Sequence, residues 1–246
     1  MKVLVIDVGG TSVKILAVGQ GEPRKFESGP LMTVGQMVAG VEKLASGWKY
    51  DRVSIGYPGV VKNNQPMTEP HNLAQGWVKF DYAAAFGCPV KIINDAALQA
   101  LGSYKGGTML FLGLGTGLGS TLVVDRVVVP MELAHLPYRK ATYEDYVGVN
   151  ALERLGKKKW RKRVDDVVER LAAAFRPDDV VLGGGNSRQL KELPRGCRLG
   201  DNNNAFVGGF RMWEESKPRG KPSASARAFR RVAPRKPARP ATKRAR

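Results

Sequence analysis

The stretch Leu110–Val124, "LFLGLGTGLGSTLVV", decides how the chain is read. Runs of strand-forming residues flank and interleave four glycines, Gly113, Gly115, Gly117 and Gly119. Glycine lets a chain reverse tightly, and it also removes the Cβ atoms that keep an anion away from backbone N–H groups. The stretch is therefore either a tight hairpin in a packed sheet or a hairpin that receives phosphate, and alone it does not choose. A second copy of its plan opens the chain: "VLVIDVGGTSVKILAV", Val3–Val18, is again apolar strand, glycine turn with a threonine, apolar strand. Two matched hairpins predict a duplicated architecture in which each copy opens one half. A third glycine turn, "LGGGNS" (Leu182–Ser187), follows a buried-strand pattern.

Strand and helix signals alternate between these landmarks. Residues 33–46 have the apolar spacing of a helix, and "RVSIGYPG" (52–59) reads as a strand entering a turn. A short helix ends at Gly87, "VKIIND" (90–95) is a strand, and a helix starts at Asp95. Helices are expected at 144–155, 160–175 and 205–215, with a strand at 179–183. The class is α/β, with helices covering both faces of each sheet.

The 246 residues suffice for a sizeable core, and no apolar run is long enough to span a bilayer. The two cysteines, Cys88 and Cys197, have no metal-ligand spacing, which with strand pattern from the start fits a reducing, cytoplasmic setting. The net charge of +18 is local. Twelve Lys and Arg and no acid fall in residues 217–246, and six more form "KKKWRKR", Lys157–Arg163, leaving the body formally neutral. The proline-rich basic tail, 216–246, is too poor in large apolar residues to offset its ordering entropy and reads as disordered.

In order along the chain stand "DVGGTSVK", "SIGYPGVV", "HNLAQGW", "IINDAALQALG", "GLGTGLGS", "ELAH", "YEDYVGVNAL", "VVLGGGNS" and "NNNAFVGGF". This series resembles the ROK-family sugar kinases of the actin-like ATPase superfamily, and within them the polyphosphate glucokinase branch. The resemblance covers Val3–Trp213. It implies a duplicated, ribonuclease H-like fold with two lobes around a central cleft: 1–105 carrying the first hairpin, the sugar loops and the catalytic acid, and 106–215 carrying the second hairpin and an adenosine-type glycine turn. The implied activity is phosphoryl transfer from polyphosphate, ATP or both to the 6-hydroxyl of glucose or a related hexose, with Mg²⁺, in a homodimer.

The resemblance also implies roles for particular residues. Asp7 holds Mg²⁺, directly or through water, while Gly9, Gly10, Thr11 and Lys14 meet the terminal phosphate. Gly115, Thr116 and Gly117 meet phosphate from the other lobe, and Gly183, Gly184 and Gly185 lie where relatives place adenosine. Asp95 is the expected general base. A carboxylate at a strand end can take the proton of a sugar hydroxyl as its oxygen attacks phosphorus, although "ND" before a helix equally fits an N-cap. Asn72, Asn94, Asp95, Glu132, His135 and Glu144 match the family's sugar-binding positions, with Pro58 and Gly59 shaping the loop beneath.

Many family members follow Glu-x-x-His with a zinc-binding cysteine cluster. Here "ELAHLPYRKATYEDY" has no cysteine, so no zinc site is expected and the polyphosphate branch is favoured. In "KKKWRKR" the cations Lys157, Lys158, Lys159, Arg161, Lys162 and Arg163 are expected to project mostly into solvent, either as a solvated helix face or as a strip guiding a polyanion to the cleft. The tail fits nonspecific polyanion binding. The competing classes are a non-catalytic binder of polyphosphate or nucleic acid and a sugar-responsive regulator. A regulator requires a helix-turn-helix segment ahead of the first strand, so that reading is disfavoured.

Overall fold

Two sheets of five strands repeat one topology. In the first, β1 (Val3–Val8), β2 (Ser12–Ala17), β3 (Arg24–Glu27), β4 (Arg52–Tyr57) and β5 (Val90–Asn94) lie in the order β3-β2-β1-β4-β5. In the second, β6 (Thr108–Leu114), β7 (Leu118–Val124), β8 (Val127–Met131), β9 (Asp179–Gly183) and β10 (Cys197–Leu199) lie in the order β8-β7-β6-β9-β10. Directions match as well: a three-stranded antiparallel meander in each, then two parallel strands. The duplication expected from the two hairpins thus extends to entire sheets. The computed structural model describes residues 1–201 and 203–214, and the basic tail lies outside them.

Period-two alternation in the central strands assigns the faces. In β1, Leu4, Ile6 and Val8 pack beneath α1 (Val34–Leu44), while Val3 and Val5 face the opposite way. Helix α1 begins at a reciprocal capping box between Thr33 and Gln36. The short α2 (Tyr82–Phe86) is capped by Asp81 and stopped by left-handed Gly87. In β6, Leu110, Leu112 and Leu114 meet the long helical segment α5 (Val149–Phe175), which follows the short α4 (Glu144–Val147). Met109 and Phe111 face the other way, onto α3 (Asp95–Ser103).

Helix α3 serves both sheets. Ala96, Ala100 and Tyr104, four residues apart, join the core of the second sheet, whereas Leu98 joins that of the first. The equivalent helix of the second half, α6 (Asn204–Arg211), crosses α3 at two glycines. A Cβ on Gly102 would overlap the Asn204 carbonyl, and one on Gly208 would overlap that of Leu98. The Arg211 guanidinium donates to the carbonyls of Leu101, Gly102 and Tyr104, satisfying the carbonyl end of α3.

Several expectations shift. The helix expected at 205–215 spans Asn204–Arg211. The pair expected at 144–155 and 160–175 is divided instead at Gly148 and at Gly156, whose φ of 72° breaks the helix, so helical structure resumes within the lysine run. Strands β3, β8 and β10 carry no clear alternation and were not expected. Among the described residues no helix is long and apolar enough to cross a membrane. Replacing Gly208 by Ala should destabilise the chain by about 3 kcal/mol in thermal melts. Gly21→Ala, where a Cβ meets nothing within 4 Å, should leave the melt unchanged.

Candidate active site

The carboxyl ends of β1, β4 and β5 lie side by side, where open α/β sheets bind their ligands. Asp7 on β1 is in register with Gly56 on β4, and Gly56 with Ile93 on β5, two residues before Asp95. A Cβ on Gly56 would sit 3.5 Å from both Asp7 Oδ1 and Asp95 Cα and 2.6 Å from a methyl of Leu98. The bare glycine therefore lets two acids and the first turn of α3 share one corner. This residue was not among those singled out above, though a glycine inside an otherwise apolar strand is its signal.

The electrostatics follow from that crowding. Burial raises the Asp7 carboxyl above the usual carboxylate range, partly offset by Lys14, its cross-strand partner, whose Nζ lies 3.9 Å from Oδ2. Asp95 is pushed up from 3.8 to about 7, first by enclosure in protein and then by the negative charge of Asp7. Hydrogen bonding pulls the other way, including the Ala96 N–H donated to Asp95 Oδ1 at 2.8 Å. Asn94 is the cap of α3: its Oδ1 accepts the Ala97 N–H at 3.2 Å, and its Nδ2 donates to the Gly59 carbonyl at 3.2 Å. The cap expected of "ND" is thus made by Asn94, one residue before Asp95.

The first hairpin meets the loop that follows β4. Ser28 holds the tip of the β1–β2 hairpin, its hydroxyl donating to the Gly9 carbonyl at 2.6 Å and its N–H to the Thr11 carbonyl at 3.1 Å. Asn72 lies against Gly10, where an added Cβ would come 2.9 Å from the Asn72 Cβ. Pro58 and Gly59 follow β4 directly, and Thr68 packs over Gly59.

The second hairpin is gripped from two sides. The Gly117 Cα faces the Glu144 carboxylate so closely that a Cβ would overlap it, and the Leu118 N–H points to the same carboxylate at 3.4 Å. The Thr116 carbonyl accepts the Val149 N–H, and Asn186 Nδ2 donates to the Gly115 carbonyl at 2.8 Å. Gly184, with φ of 80°, abuts the Leu114 carbonyl, and Gly183 abuts Phe111, which docks the Gly183–Gly185 turn onto the strand feeding this hairpin. The two halves meet where Gly119 of β7 lies against the Ala96 Cβ, one residue from Asp95, an approach of 2.8 Å for an added Cβ.

Glu132 and His135 stand apart. They face each other at 4.0 Å with side chains 63% and 71% exposed, and no hydrogen bond or ion pair among the described residues joins them to Asn72, Asn94 or Asp95. The basic run projects mostly into solvent, as expected. Lys157, Lys158, Lys159 and Lys162 are exposed, but Arg161 and Arg163 are partly buried, and the Arg161 Nε donates to the Gln189 carbonyl at 2.6 Å. Trp160 is fully buried with its indole N–H on the Val147 carbonyl, so this helix is latched both to α4 and to the helical turn after Gly184.

A duplicated sheet pair with acids at one inner corner and glycine turns opposite defines a protein of the actin-like ATPase fold. Residues 3–129 match the ROK family, and the chain belongs to it. It is 28% identical over 208 residues to a polyphosphate glucokinase of Mycobacterium tuberculosis (strain CDC 1551 / Oshkosh), covering 75% of this chain and 77% of that protein. Among solved structures, it is similar to the inorganic polyphosphate/ATP-glucomannokinase of Arthrobacter sp. strain KM (24% identity, TM-score 0.72, covering 84% of this chain and 96% of that one). It is similar too to a ROK family glucokinase from Streptomyces griseus solved with glucose and AMPPNP (15% identity, TM-score 0.69, covering 85% and 97%).

The raised pKa of Asp95 fixes the sign of a stability effect. The folded carboxyl holds its proton more tightly than the unfolded one, so its contribution is most favourable below pH 3.8 and is lost as pH rises toward 7. Asp95→Asn, which removes the enclosed charge, should therefore raise thermal stability at pH 8 by about 1–3 kcal/mol and have little effect at pH 4. Melting curves of both proteins at the two pH values check this.

Proposed function

We propose that this chain is a sugar kinase that moves a phosphoryl group from polyphosphate, ATP or both to the 6-hydroxyl of glucose or a related hexose, in the cytoplasm. The observation that carries the reading is Asp95: an acid at the head of α3, raised to about 7 beside Asp7, one residue from the contact with the second hairpin's strand. A base with that pKa is half ionised near neutral pH and still basic enough to draw a proton from a hydroxyl. As the sugar oxygen bonds to phosphorus, its proton passes to Asp95 and the donor leaves one phosphoryl shorter.

The remaining residues position and neutralise. Gly9, Gly10 and Thr11 offer N–H and hydroxyl donors from one side, and Gly115, Thr116 and Gly117 from the other. Lys14 supplies a point charge beside Asp7. The corner suits magnesium: two enclosed carboxylates with one lysine nearby leave a negative field that a divalent cation relieves. Asp7 would hold the ion, which when bound supplies charge neutralisation at the transferring phosphate. Asn72 and Asn94 offer polar groups to the hydroxyls beside the corner and Glu144 from against the second hairpin, while Glu132 and His135 would have to move in with the sugar, as closing loops do.

Polyphosphate is favoured as a donor by the latch on the basic helix. Arg161 ties that helix to the segment after the Gly183–Gly185 turn, so the exposed lysines beside it can hold the trailing units of a polymer whose end reaches the cleft. Initial rates with ATP and with polyphosphate against glucose, mannose and glucosamine test the function. Sugar phosphate should form with glucose and at least one donor, and kcat/KM should fall as pH drops through about 7. Asp95→Asn should lose about 10²–10⁴-fold in kcat. Full turnover by that variant would overturn the role of Asp95, and no turnover by the wild type would favour a non-catalytic polyanion binder. Replacing Lys157, Lys158, Lys159 and Lys162 by Gln should raise KM for long polyphosphate about tenfold at low salt, less at high salt, and leave KM for ATP within about twofold.

A further inference from the structure

The segment between β4 and α2 contains a carboxylate that the catalytic scheme does not use. Glu69 accepts three backbone N–H groups, from Gly76 and Trp77 on Oε2 at 3.0 Å each and from Val78 on Oε1 at 3.2 Å. One side chain thus closes residues 69–78 into a loop at its base. Gly76, at φ of 100°, provides the left-handed turn that aims consecutive N–H groups at one acceptor. The closed loop is pinned on its inner side by buried Leu73 and Trp77 and by the Ala74 N–H on the Met32 carbonyl.

Both ends of this loop lead to residues assigned to the sugar. Beyond Glu69, exposed Asn72 lies against Gly10 of the first hairpin. Before it, the Thr68 carbonyl accepts the Tyr57 hydroxyl at 2.8 Å, and the Thr68 Oγ1 accepts the Val60 N–H at 3.3 Å above Gly59. Asn94 holds that same Gly59 from the α3 side. Glu69 therefore stands where the two sugar loops join, with no bond of its own to Asp7, Asp95 or either phosphate hairpin among the described residues.

We propose that Glu69 is a positioning residue for hexose: it fixes the loop that presents Asn72, and so sets the affinity for the sugar and not that for the phosphoryl donor. The proposal rests on the kinase reading above. An anionic acceptor suits the task because charge-assisted bonds to N–H groups are shorter and stronger than neutral ones, and three of them leave the loop one arrangement. A glutamine in its place keeps one carbonyl oxygen and turns an NH₂ toward at least one of the three donors.

The test uses the full chain, with Glu69→Gln, Asn72→Ala and the double variant, and steady-state kinetics for hexose and donor separately. Glu69→Gln should raise KM for the hexose at least about tenfold, with kcat and donor KM within about twofold of wild type. In the double variant the two effects should fail to add, since both remove the same contact. Glu69→Asp, still anionic but a methylene shorter, should fall between, and it replaces the glutamine variant if circular dichroism shows that one unfolded. An unchanged hexose KM, a donor KM rising in step, or full additivity would each overturn the proposal. A wild type inactive with every hexose would overturn the kinase reading instead. Amide hydrogen exchange at Gly76, Trp77 and Val78 then reads the hold on the loop directly: faster exchange in Glu69→Gln supports it, and unchanged exchange overturns it.

Discussion

Two acids gathered at one corner of a sheet, where the bare Gly56 leaves room for the Asp7 carboxylate and the Asp95 backbone, set the terms for the rest of the molecule. Asp7 and Asp95 repel each other, and each loses hydration on burial. Gly56 lies against the Asp95 backbone, the Ala96 N–H holds its carboxylate, and Lys14 answers part of the charge on Asp7. Nothing in that arrangement favours stability by itself. It persists because the surrounding core over-determines it, which is how strained and charged sites survive in folded proteins.

Much of that determination runs through α3. Its N-terminus carries the acid, its apolar stripes belong to both sheets, and its far end is bound by Arg211 and crossed by α6 at Gly102 and Gly208. The duplication then divides the labour. Asp7 on β1 pairs in register with Gly56, and the equivalent position on β6 is Gly113, which pairs in register with Gly183. One half keeps the acids while its copy keeps only glycine at the matching place, where the third glycine turn docks onto the strand that feeds the second hairpin. The close contact between Gly119 and Ala96 joins these halves next to Asp95.

Continuous apolar runs and the glycine turns that follow them were legible in the sequence. The central strands β1 and β6, the glycine hairpins that follow them and the Asn94–Asp95 pair could be read because doubly buried strands and tight turns leave few alternatives. The edge strands could not. Phe26 is the one large apolar residue of β3, β8 exposes Val127 and Val129, and β10 is three residues long, so their pairing comes from the neighbouring strand and not from their own pattern. Gly102 and Gly208 matter through atoms distant in sequence, and no local rule separates them from glycines facing open space. Within the basic run the four exposed lysines match its pattern, whereas the bond from Arg161 to the Gln189 carbonyl depends on a partner distant in sequence. Glu69 left no signal at all, since its three partners lie seven to nine residues away in an irregular loop.

The coupling between Asp7 and Asp95 is open to direct measurement. Titration of the Asp95 side-chain carboxyl by carbon NMR, in the full chain and in Asp7→Asn, measures it without recourse to activity. The midpoint should lie near 7 in the wild type and move down when the charge at position 7 is removed, remaining above 3.8 because enclosure alone still raises it. A midpoint near 3.8 in the wild type, or one that ignores the loss of Asp7, would contradict the corner on which the proposed catalysis rests.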